Sequence, residues 1–128
     1  MGKISIRTEF YFEAAHMLDL DYESKCEELH GHSYKCAVTI TKNNTVKLNQ
    51  NGMIIDFVEL KKIIKERIEN VLDHKYLNNI FDFNPTAERM SIWIADQIND
   101  ALHEKNIDAI CSKVELNETA KNMAIYEV

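Results

Sequence analysis

Two stretches of strict alternation constrain this chain more than any other feature. In ISIRTEFYFEAAH (residues 4–16), Ile4, Ile6, Phe10, Phe12 and Ala14 share one parity, while Arg7, Glu9 and Glu13 hold the other. His16 closes that run on the apolar parity. In HGHSYKCAVTI (residues 30–40), His30, His32, Tyr34, Cys36, Val38 and Ile40 share one face, with Ser33, Lys35 and Thr39 opposite. Side chains two apart on a strand project to the same side, so each run predicts a strand buried on one face only. A sheet with one apolar face needs a cover, and two amphipathic segments supply it. Phe57, Leu60, Ile63, Ile64, Ile68, Val71 and Leu72 recur at helical spacing, with Asp56 placed to cap them. Met90, Trp93, Ile94, Ile98 and Leu102 do the same further on, with Pro85 or Thr86 at the start and Glu88 in the first turn.

Shorter signals complete the order. Residues 17–29 are acidic and irregular and read as a loop. KNNTVKLNQNG (42–52) carries Asn-Asn and Asn-Gly turn signals and predicts a hairpin-like connection. GMIIDF (52–57) reads as a short third strand, LDHKYLNN (72–79) as a helix stop, and AICSKVELNE and MAIYEV as later strands. The succession predicts a single α+β domain over residues 1–128, with helices on one face of an antiparallel sheet. Such a sheet leaves open edges, which a homo-oligomer hides.

Composition narrows the function classes. Fifteen basic against twenty-one acidic residues in a chain of 128 give a net charge of -6, which argues against a nucleic-acid partner. No stretch approaches the ~18 apolar residues of a membrane span, and the N-terminal segment lacks the apolar core of a signal peptide. The three cysteines, 26, 36 and 111, are an odd number and do not suggest a disulfide framework. The expectation is a soluble cytoplasmic protein.

The chemistry concentrates in CEELHGH, Cys26 to His32. His30 and His32 lie two apart on a strand, so both imidazoles project to one side. His16 ends another strand on its own inward parity, and antiparallel pairing can bring it to the same point. Three neutral imidazoles suit a zinc ion with an open fourth position, and iron or copper fit the same donors. Gly31 between them allows close approach of backbone or substrate. Cys26 has two readings at this stage: a fourth ligand that closes the site, or a thiol activated by the metal's field. Cys36 and Cys111 carry strand parity and read as apolar fillers. Asp73 and His74 form a second candidate pair, either a proton relay or a complement to the helix dipole. Glu118 follows the parity of Val114 and Leu116, so its carboxylate either meets a ligand's paired N–H donors or stays solvated at the strand end.

FEAAH (12–16), CEELHGH (26–32), GMIIDFVELK (52–61), LDHKYLN (72–78), NPTAE (84–88) and NETAKNMAIY (117–126) together resemble the family of 6-pyruvoyltetrahydropterin and 6-carboxytetrahydropterin synthases. The combination spans almost the whole chain in the family's order. The resemblance implies the tunnelling fold: four antiparallel strands with two helices, assembling into trimers around a barrel of sheets, often stacked into hexamers. It implies that His16, His30 and His32 hold Zn2+, that Cys26 is the general base, and that His74, supported by Asp73, is a relay. Glu118 then anchors the pterin ring, and Thr86 and Glu88 line its pocket. The resemblance also implies a site between subunits, uniting Cys26 of one chain with Asp73 and His74 of a neighbour.

The substrate implied is 7,8-dihydroneopterin triphosphate, with no redox cofactor. The favoured product is 6-carboxy-5,6,7,8-tetrahydropterin, made with release of acetaldehyde and triphosphate for 7-deazaguanine and queuosine synthesis. The alternatives are the 6-pyruvoyl product, without side-chain cleavage, and a non-catalytic zinc-binding oligomer with Cys26 as a ligand. A folate-directed variant of the family replaces the cysteine with glutamate, and here Glu27 and Glu28 stand beside Cys26. Lys25, Lys35 and Lys121 are the candidates for the triphosphate.

Overall fold

The computed structural model describes residues 2–42 and 47–128. Its centre is a pair of long antiparallel strands, β1 (Ser5–His16) and β2 (His30–Thr41). Their register sets His16 opposite His30, Ala14 opposite His32 and Phe12 opposite Tyr34. The alternation predicted the faces: Phe10, Phe12, Ala14 and His16 of β1 are buried, as are Tyr34, Cys36, Val38 and Ile40 of β2. Arg7, Glu9 and Lys35 join in ion pairs on the opposite face.

The first helix, α1, runs over residues 57–72. Phe57–Ile64 is α-helical, Lys65–Glu69 forms a π-helical turn, and Asn70–Leu72 resumes the α-helix. Asp56 caps it, its Oδ1 accepting the Val58 N–H at 2.8 Å. Chain direction then reverses into β3, the two residues Lys75–Tyr76, which pair in parallel with Ala14 and Ala15. The second long helix, α2 (Ala87–Glu104), is capped by Thr86, whose Oγ1 accepts the Arg89 N–H at 3.2 Å. It buries Met90, Ile94, Ile98 and Leu102 against the sheet, with Trp93 half-buried at its rim against Phe81. β4 (Ile110–Asn117) and β5 (Met123–Glu127) complete a sheet of order β3-β1-β2-β4-β5. Cys36 and Cys111 are fully buried in the core, as their parity predicted. No helix among the described residues is long and apolar enough to cross a membrane.

Two expectations need correction. The sheet has five strands rather than four, and because β3 is parallel to β1 it is mixed rather than purely antiparallel. Residues 52–57 form no strand. Asn49 Oδ1 accepts the N–H groups of Asn51 and Met53, Gly52 takes φ +76°, and Asp56 already serves the helix. Those local bonds leave no run of free backbone for a ladder, although Ile55 still enters the core. The Asn-Gly turn at residues 51–52 is present. The Asn-Asn turn signal falls at residues 43–44, outside the described residues.

Candidate active site

The β1–β2 register brings the three histidines together on the helix-covered face. Their rings stand nearly perpendicular to one another: 66° between His16 and His30, 89° between His16 and His32, and 90° between His30 and His32. His16 is fully buried, and its Nδ1 lies 2.8 Å from the carbonyl oxygen of Pro85. A carbonyl only accepts, so Nδ1 carries the proton and Nε2 the lone pair. His30 repeats this arrangement, with its Nδ1 donating to the Glu28 carbonyl at 2.7 Å. The two bare Nε2 atoms then face each other at 2.9 Å.

His32 adds a third ligand atom. Its Nε2 is buried without a hydrogen bond, though Glu118 Oε1 lies 3.2 Å away. One ligand atom from each of His16, His30, His32 and Glu118 falls within 4.8 Å of all the others. Lone pairs converging on one another do not attract. A cation at their centre satisfies all of them, so these residues fit a bound metal ion. Burial holds His16 and His32 below the ordinary imidazole range, although the Glu118 carboxylate acts the other way on both. Both are therefore neutral near pH 7, the form in which imidazole ligates a metal. Tyr34, stacked on Phe12 at 4.8 Å, packs beneath the cluster with its hydroxyl 3.4 Å from His16 Nδ1.

Cys26 stands outside this cluster. It lies half-buried in a short helical turn, Lys25–Glu27, capped by Ser24, whose Oγ accepts the Cys26 N–H at 3.2 Å. Cys26 contributes no atom to the group, whereas a Glu118 carboxylate oxygen lies beside the three imidazoles.

Asp73 and His74 dock on the edge of β1. Asp73 Oδ1 accepts the Glu13 N–H at 2.9 Å, and the His74 N–H donates to the Glu13 carbonyl. Asp73 Oδ2 sits 3.0 Å from His74 Nδ1. The Glu13 amide, aided by His74, holds the Asp73 carboxyl below its usual range. His74 has φ +58°, a left-handed backbone uncommon outside glycine, and its side chain is 78% exposed. It borders an open depression of about 520 Å³ shared with Glu13, Gly31, His32 and Ser33. Within this chain nothing forces a glycine at position 31, since an added Cβ meets only the Ala14 carbonyl at 3.7 Å.

Glu118 and Glu88 line a second depression, of about 290 Å³, with Ala87, Asn122 and Ala124. Glu118 thus borders both the histidine cluster and this hollow. Thr86 is committed to capping α2 and is not among the residues lining it.

A sequence-family profile described as 6-pyruvoyl tetrahydropterin synthase matches residues 5–128. The chain belongs to this family. It is 35% identical over 113 residues to the 6-carboxy-5,6,7,8-tetrahydropterin synthase of Synechocystis sp., covering 84% of this chain and 87% of that protein. To the Haemophilus influenzae protein of the same name it is 40% identical over 91 residues, 71% of this chain and 59% of the other. The 6-pyruvoyl tetrahydrobiopterin synthase of Dictyostelium discoideum is 35% identical over 80% of this chain and 73% of its own length. Among solved structures, the 6-pyruvoyl tetrahydropterin synthase of Caenorhabditis elegans superposes with a TM-score of 0.80 at 24% identity, covering 100% of this chain and 97% of the other. That likeness concerns the fold.

Within this pterin synthase family member, parity and pairing foresaw the meeting of His16, His30 and His32. Glu118 was expected to point inward but not to join the histidines. The carbonyls of Pro85 and Glu28, which orient the His16 and His30 rings, and the side-chain amides of Asn78 and Asn84 were missed. Backbone acceptors leave no trace in side-chain patterning. In the sequence, Asn78 reads only as part of a helix stop and Asn84 only as the first residue of the NPTAE motif.

Proposed function

We propose that this chain is a zinc-dependent 6-carboxytetrahydropterin synthase, converting 7,8-dihydroneopterin triphosphate to 6-carboxy-5,6,7,8-tetrahydropterin with release of acetaldehyde and triphosphate. The observation that carries the reading is the pair of bare Nε2 atoms on His16 and His30, 2.9 Å apart, with His32 Nε2 unpartnered beside them. Zinc held by His16, His30 and His32 supplies a Lewis acid that acidifies the C–H beside a bound side-chain hydroxyl.

Cys26, close in sequence to His30 but outside the cluster, is the base that takes that proton as thiolate. Asp73 accepts from His74 Nδ1 and so leaves Nε2 as the nitrogen that passes a proton on. Glu118 accepts the paired N–H donors of the pterin, with Glu88 in the same hollow and Thr86 capping the helix whose first residue, Ala87, lines it. Oxidation of the side chain balances reduction of the ring, so no redox cofactor is needed.

His74 is mostly exposed, and Tyr11, Met123 and Ile125 are exposed at 63%, 44% and 54% on the sheet face away from the helices. Both features support a homo-oligomer, a trimer or hexamer, in which Asp73 and His74 serve a neighbour's Cys26. A cytoplasmic role in 7-deazaguanine and queuosine synthesis accords with the relatives named as carboxy synthases. The similarity to the Dictyostelium protein keeps the 6-pyruvoyl product as the second reading.

Mass-spectrometric product analysis of the zinc-loaded protein, with an acetaldehyde assay, separates the two. The carboxy product with acetaldehyde is expected. A 6-pyruvoyl product without acetaldehyde moves the chain to the other branch, and no turnover at full zinc occupancy overturns both.

A further inference from the structure

The segment that leaves ligand His16 is held by two asparagine side chains. Asn78 Oδ1 accepts the Met17 N–H and its Nδ2 donates to the Met17 carbonyl, both at 2.8 Å. Asn84 does the same to Asp19, with both bonds at 2.9 Å. Along an extended chain, successive residues direct their backbone groups to opposite sides. Met17 and Asp19 therefore face the two amides, and Leu18 between them faces the other way. The Leu18 N–H donates to the carbonyl of Cys26 at 2.9 Å.

Each amide stands in for one residue of a neighbouring strand, continuing beyond His16 the pairing that β3 gives Ala14 and Ala15. Asn84 is followed by Pro85, whose carbonyl orients His16. One loop, residues 78–86, thus grips the chain at 16, 17 and 19, and residue 18 holds Cys26.

We infer that Asn78 and Asn84 are positioning residues for Cys26, holding its turn in register with the histidine cluster through Leu18. The inference rests on the reading of Cys26 as the base. A misplacement of about 1 Å at a reacting group costs on the order of 100-fold in rate, so a clamp of this kind has a measurable effect.

The test makes Asn78→Ala and Asn84→Ala, each with Cys26 present and in a Cys26→Ala background, and follows two readouts. Amide hydrogen exchange at Leu18 reports the link to Cys26 directly. Steady-state kinetics with 7,8-dihydroneopterin triphosphate report its consequence in the zinc-loaded protein. Exchange at Leu18 should accelerate, kcat should fall ~10–100-fold with KM within about twofold, and zinc content should hold. In the Cys26→Ala background the same substitutions should change the residual rate by less than about twofold, because the group they position is gone.

Unchanged Leu18 protection with unchanged kcat overturns the inference. So does an equal loss of rate in the Cys26→Ala background, which marks a general structural role. If Asn84→Ala does not fold, Asn84→Asp keeps the acceptor for Asp19 and removes the donor, and is read in the same way. If Cys26→Ala alone turns over like the parent, the reading of Cys26 fails, and Leu18 exchange by itself decides whether the clamp exists.

Discussion

His16 and His30 face each other Nε2 to Nε2 across 2.9 Å, each with its Nδ1 committed to a backbone carbonyl. The tautomer of both rings is fixed by atoms that no substitution at those carbonyl positions removes. The orientation of the two imidazoles is therefore built into the backbone, and its weak points are the imidazoles themselves.

Replacing His30 with alanine should weaken zinc binding by more than the ~10–100-fold that loss of an outer hydrogen-bond partner costs. Competition against a chelator of known affinity measures it. Retention of parental affinity would remove His30 from the ligand set.

The three thiols should differ sharply in reactivity. Burial pushes the Cys111 thiol up to about 12 and the Cys36 thiol higher still, whereas Cys26 is partly exposed. A thiol-specific disulfide reagent at neutral pH should therefore titrate a single cysteine in the native protein and all three in denaturant. Rapid reaction of Cys36 or Cys111 in the native state would contradict the packing described.

Glu118→Gln keeps the shape of the side chain and removes its charge. Hydrogen bonds to a charged group contribute roughly 1.5–3 kcal/mol, so KM for the pterin substrate should rise ~10–100-fold. An unchanged KM accompanied by lost zinc would make Glu118 a metal ligand only.

Asp73→Asn should lower turnover while zinc stays bound, because the carboxylate orients His74 and ties it to Glu13. The folded carboxyl lies below its usual range. Its contribution to this docking is therefore present above the ordinary aspartate range and is lost as pH falls through the lowered folded value. Amide exchange at Glu13 across the acid range reads that loss, and parental turnover in Asp73→Asn would sink the relay.

How much of this was legible follows from the range of each signal. Alternation placed Phe12, Ala14 and His16 on one face and His30, His32 and Tyr34 on another, and antiparallel pairing superposed the two. Helical spacing and the caps at Asp56 and Thr86 located both helices. β3 was not legible because two residues, Lys75 and Tyr76, carry no period; the pairing is fixed by Asp73 and His74 docking on Glu13. Residues 52–57 misled in the opposite sense: Ile54 and Ile55 look like a strand, but Asn49 and Asp56 bind the flanking amides first. The clamps at Asn78 and Asn84 join residues about sixty apart in sequence, and no local pattern reveals such a pair.

The separation of roles between the histidine cluster and Cys26 is tested most directly by Cys26→Ala, with zinc stoichiometry and turnover measured on the same preparation. Zinc at the parental level with turnover reduced by ~100–10,000-fold is the predicted result. Loss of zinc together with the thiol, or parental turnover without it, would contradict it.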